Sequence, residues 1–140
     1  QQIRSYRMKM SGPLMDRIDL HIEVAPPPHE ALLEPQQKDA SDRIRDRVME
    51  ARTRQEARLG GPGKCNACIS SRNIGRYCRL GHEEKLLLRK ASSELSLSAR
   101  SVHRVIKVAR TIADLEDHGD ITSCHIAEAL QFRPKLDDII

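Results

Sequence analysis

Residues 97–115 read LSARSVHRVIKVARTIADL and carry the strongest helix signal in the chain. Val102, Val105, Ile106, Ala109, Ile112 and Ala113 recur at i, i+3, i+4 and i+7, the spacing of one buried helical face. Ser98 stands where an N-cap belongs, its hydroxyl able to accept from an amide of the first turn. Leu97 before the cap and Val102 after it hold the positions of a hydrophobic staple. Arg100 breaks the pattern. It lies in the first turn, at the positive end of the helix dipole, where a cation costs about 0.3–1 kcal/mol. Either it is an arginine in solvent, or it waits for an anion, which would meet amides, dipole and guanidinium together.

Around this helix the composition is that of a helical protein. The 140 residues suit one domain or a piece of a larger protein, and Gln1 in place of an initiator Met favours the piece. Tyr6, Tyr77 and Phe132 are the only aromatics, so the core has to be built from Leu, Ile, Val, Ala and Met. A net charge of +4 permits nucleic-acid contact without requiring it. No apolar run approaches the roughly 20 residues needed to span a membrane. Four cysteines without a signal peptide point to a reducing, cytoplasmic setting.

Upstream, Ser11–Arg17 opens on a Ser-Gly-Pro breaker and has room for one helical turn. Ile18–Val24, IDLHIEV, alternates apolar and polar residues and predicts a strand, which needs sheet partners from outside this chain. Pro26, Pro27 and Pro28 make an extended linker, and His29–Glu34 reads as a short helix ended by Pro35. Helices are expected over Ser41–Leu59, Ser71–Cys78, Glu83–Ser96 and Thr122–Phe132, with Gly119 ending the central one. The arginines of Ser41–Leu59 alternate with acidic residues and read as a solvated, salt-bridged surface, with a nucleic-acid track as the lesser alternative.

Self-sufficient chemistry is hard to find. Cys65 and Cys68, with Cys78 and His82 behind them, have numbers that suit zinc, but a lone CxxC is weak and the ligands fall on separate short elements, so no metal is assigned. Glu83–Ser96 followed by the central helix permits a helix-turn-helix that would turn Arg100, Ser101 and Arg104 toward a major groove. The chain contains no GxxxxGK[ST] phosphate loop and no HExxH.

Four stretches in order, SGPLMDRIDLHIEV, KCNAC, LSLSARSVHRVIKVARTIADL and HIAEALQFR, resemble the C-terminal part of the magnesium-chelatase-like AAA+ ATPases, in their ComM/YifB group. The resemblance implies a mainly α fold: a helical lid over 41–140, a linker over 25–40, and over 1–24 the end of the α/β ATPase core with one strand. It implies that Arg17 is an arginine finger acting in trans on a neighbour's nucleotide, and that Arg100 is the sensor 2 arginine. Asp16 and Asp19 flank Arg17 as supporting carboxylates or as plain surface residues. ATP and Mg²⁺ are the cofactors implied for the full-length protein, other copies in a ring, a hexamer, its partners, and DNA its substrate. The phosphate loop and the Mg²⁺-binding acidic motif lie upstream in the family, so this chain by itself is expected to be inactive. A stand-alone helix-turn-helix module and the motor subunit of a metal chelatase are the competing functions.

Overall fold

The computed structural model describes residues 17–29 and 39–133; Asp16, most of the expected short helix over 29–34 and the tail 135–140 lie outside the described residues. Among the described residues five α-helices follow one another: α1 Asp39–Leu59, α2 Ile74–Tyr77, α3 His82–Glu94, α4 Ala99–Leu115 and α5 Ser123–Gln131. Two 3-10 turns, Asn66–Cys68 and Ser71–Asn73, join α1 to α2. No described helix is long and apolar enough to cross a membrane.

The fold is built on α4, as its periodicity requires. Ala109 and Ala113 are fully buried, and Val105, Ile106 and Ile112 nearly so. This face meets α5, α1, the first 3-10 turn and α2, while α3 packs chiefly on α5. Ile69, Ile74, Cys78 and Leu88 close the core from one side, Ile121, Ile126 and Ala129 from the other. Each large aliphatic side chain buried here contributes about 1.5–3 kcal/mol. The predicted cap is in place: the Ser98 hydroxyl accepts from the Ser101 amide at 3.1 Å. At α5 the cap is reciprocal, with the Thr122 amide donating to His125 Nδ1 at 2.9 Å.

The ends of the helices depart from expectation in instructive ways. The central helix stops at Leu115, not at Gly119. Asp117 turns into the left-handed region (φ 57°), and the His118 amide donates back to the Ala113 carbonyl at 2.8 Å. α1 stops where Gly60 adopts φ 71°, a conformation that costs glycine nothing. Only the second half of α1 is packed: Ala51 and Gln55 are buried, whereas Ile44, Val48 and Met49 of its first half are exposed.

The strand expected over Ile18–Val24 is not formed. The segment carries no strand assignment, and its apolar side chains stand open, with Ile22 67% and Val24 84% exposed. The alternation is real, but a strand exists only by pairing with another backbone, and no partner strand is present among the described residues. The segment is held to the bundle instead by the His21 amide, which donates to the Phe132 carbonyl at 2.8 Å.

Candidate functional site

The second face of α4 is the floor of a cleft. Arg100, Arg104, Lys107, Thr111 and Leu115 succeed one another at helical spacing and line a cavity of about 920 Å³. That is within the size range of small-molecule sites, roughly 300–1,000 Å³. Asn66 and Ala67 form one wall, Phe132 and Glu128 another, and Arg17, Asp19 and Leu20 of the extended segment close the side. Arg17, Arg100, Arg104 and Lys107 make the lining cationic, and Leu20, Val108, Ile112, Leu115 and Phe132 give it apolar surface as well.

The cations differ in what already holds them. Arg104 is nearly covered, donates to the Ile18 carbonyl and lies 3.5 Å from the Asp19 carboxylate. Lys107 Nζ donates to the Ala67 carbonyl at 3.0 Å. Arg100 and Arg17 are exposed and have no hydrogen bond or ion pair among the described residues. The structure therefore brings Arg17 and Arg100, both singled out from the sequence, to one cleft. Asp19 does not turn to Arg17: its carboxylate faces Arg104. Arg104, one of the three side chains a helix-turn-helix would present to DNA, is engaged in the same contact.

One wall of the cleft rests on a buried polar cluster that the sequence reading misses. Asp114, 1% exposed, accepts from both terminal nitrogens of Arg58 at 2.7 and 2.6 Å. It also accepts from Arg110 Nε at 3.2 Å and from Asn66 Nδ2 at 2.8 Å. The rest of the Arg110 guanidinium donates to the carbonyls of Gly119 and His118 at 2.7 and 2.6 Å. Asn66 is fixed further by Thr111 at 3.0 Å and by Gln55, which accepts its backbone amide at 3.1 Å. Arg54 adds a bond to the Asp114 carbonyl and an ion pair with Asp117. So Arg54 and Arg58, read as solvated surface, are anchors of α1 on the end of α4. The available signal was the position of Asp114, four residues after Arg110 and eight after Ile106, along the edge of the apolar stripe.

Cys78 is sealed in the core at 2% exposure, where burial pushes its thiol up, and Cys65 and Cys68 sit apart from it in the first 3-10 turn. Among the described residues no three His, Cys, Asp or Glu side chains gather closely enough to hold a metal.

Comparison with known proteins agrees with the helical architecture. The family model described as magnesium chelatase, subunit ChlI C-terminal, matches residues 38–133, and the one described as magnesium chelatase, subunit ChlI, matches residues 1–32. The chain is 41% identical over 134 residues to the competence protein ComM of Haemophilus influenzae and 38% identical over 136 residues to YifB of Escherichia coli, an uncharacterized protein. Each alignment covers 95% of this chain and 26% of the relative, so the chain spans about a quarter of the length of the curated relatives it matches. An uncharacterized protein of Mycobacterium bovis is 33% identical over 134 residues, covering 93% of this chain and 26% of its own length. By the match over 38–133 the chain belongs to the magnesium chelatase family, as a C-terminal segment of the ComM and YifB type.

Proposed function

We propose that this chain supplies the lid of a ring-forming AAA+ ATPase, with Arg100 as the sensor 2 arginine that holds the phosphates of its own subunit's nucleotide. The observation that carries the reading is Arg100 itself: a guanidinium without a partner among the described residues, in the first turn of α4, lining a cleft that also offers apolar surface. A nucleoside triphosphate needs both kinds of surface. Its phosphates seek charge-assisted donors, and its base seeks apolar surface. Arg17 acts as the arginine finger on the nucleotide of the adjacent subunit. Both arginines work by charge, stabilising negative charge that grows during phosphoryl transfer. The carboxylates at the cleft are Asp19, facing Arg104, and Glu128, so the described residues offer no shell for Mg²⁺. The phosphate loop and acidic motif that the family resemblance puts upstream would supply it. We propose DNA as the motor's substrate, supported by the net charge of +4 and the exposed arginines of α1.

The shared cleft favours a second reading of one residue, in which Arg17 clamps the same nucleotide as Arg100. The roles separate in the full-length protein. Arg17→Ala is expected to abolish hydrolysis, by about 10³-fold or more, while ATP binding stays nearly intact. Arg100→Ala is expected to weaken binding and hydrolysis together, because it contacts the ground state as well as the transition state. Unchanged nucleotide affinity in Arg100→Ala, measured by equilibrium titration, would remove the sensor 2 assignment.

A further inference from the structure

The turn that follows α1 sets two thiols side by side. Cys65 precedes the 3-10 turn Asn66–Cys68, and the Cys68 amide donates to the Cys65 carbonyl at 2.9 Å. This fold of the backbone stacks residues i and i+3, and the two Sγ atoms lie 3.6 Å apart. A disulfide needs about 2.05 Å, a gap that side-chain rotation closes without unwinding the turn. Cys68 is exposed and Cys65 half-buried, so a small reagent reaches both. Partial burial works against the Cys65 thiolate, but the Cys68 thiol, the amides of Ala67 and Cys68 and the Arg52 guanidinium outweigh it and hold the thiol below the ordinary cysteine value. The other cysteines have no such neighbour: Cys78 is sealed in the core, and Cys124 stands exposed on α5.

We propose that Cys65 and Cys68 are a reversible redox site that closes to an intramolecular disulfide at the expense of a low-molecular-weight disulfide such as oxidised glutathione. The Cys65 thiolate attacks one sulfur of the reagent, forming a mixed disulfide and releasing one glutathione thiolate. The Cys68 thiolate then attacks the Cys65 sulfur, forming the Cys65–Cys68 bond and releasing the second glutathione. Two electrons pass from the protein dithiol to glutathione disulfide, and the two thiol protons end on the two glutathiones. The bond braces the residues between the sulfurs. Asn66 reaches Thr111 and Asp114, and the Ala67 carbonyl holds Lys107, so the turn that closes is also a wall of the cleft.

The test is an oxidation series on the reduced chain with rising ratios of oxidised to reduced glutathione, followed by alkylation of free thiols and peptide mass mapping. The expected result is joint loss of alkylation at Cys65 and Cys68, with a peptide two hydrogens lighter. Cys124 should end as a glutathione adduct and Cys78 should stay unreactive until the chain unfolds. Cys68→Ser should stop at the adduct on Cys65. The folded chain should form the bond at a ratio about tenfold lower than the urea-denatured chain, because the turn pre-sets the pair. Separate adducts on Cys65 and Cys68, bonds between chains, or equal ratios for folded and denatured protein would each overturn the proposal.

Discussion

Asp114 is the residue on which the interior depends. Its carboxylate is out of water and offset by two guanidiniums and one amide, and removing one partner of such a cluster leaves the others buried and uncompensated. Asp114→Ala is therefore expected to destabilise the chain by about 3–5 kcal/mol, read as a lowered urea midpoint. Asn66→Ala should cost less, about 1–3 kcal/mol, since it leaves a satisfied ion pair behind. The double variant should lose less than the sum, as groups sharing one network do. The sequence exhibits Arg110 and Asp114 at i, i+4, but that spacing alone reads as a surface pair. What buries them is Arg58, 56 positions away from Asp114, and the carbonyls of a turn whose path no local pattern encodes. Arg100 was legible for the opposite reason: its oddity is local, a cation in the wrong turn of a helix.

At the scale of elements, periodicity located the helices well and their faces unevenly. α4 buries the stripe its sequence announces. In α3 the apolar run Leu86, Leu87, Leu88 is ambiguous by itself, and contact with α5 decides it: Leu88 goes inward while Leu86 is 60% exposed. The strand over Ile18–Val24 was legible as a pattern only, because pairing is not a property of one segment. The N-termini of α3 and α5 are joined by a bond no pattern foretells, the Ser123 hydroxyl donating to Glu84 Oε1 at 2.9 Å. Glu84's own backbone amide, and then Ser123, hold its carboxyl below the ordinary glutamate value. A depressed carboxyl contributes stability that is present above the unfolded value and lost as pH falls through the folded one. Urea midpoints measured from neutral pH down through the glutamate range should fall more steeply for the wild-type chain than for Glu84→Gln. Parallel curves would show that the contact carries nothing. Ser98→Ala should lower stability by about 1 kcal/mol through the lost cap on α4.

For the whole molecule, a helical bundle presents a cleft lined by cationic and apolar side chains, in a chain that is about a quarter of its relatives' length. The isolated chain is expected to turn over no ATP, because it lacks the loop whose amides hold phosphates; turnover above a mock-purified control, lost in Arg100→Ala, would contradict this. The central claim is that Arg100 serves its own subunit's nucleotide and Arg17 its neighbour's, and ring mixing tests it most directly. Full-length Arg17→Ala subunits are combined with subunits disabled in the phosphate loop, each inactive alone. The account predicts that partial ATPase activity returns, since some intact phosphate loops then face intact fingers. The same mixing with Arg100→Ala should restore nothing at the Arg100→Ala subunits. Mixed rings that demonstrably assemble yet recover no activity with Arg17→Ala would contradict the account, and would assign both arginines to a single nucleotide.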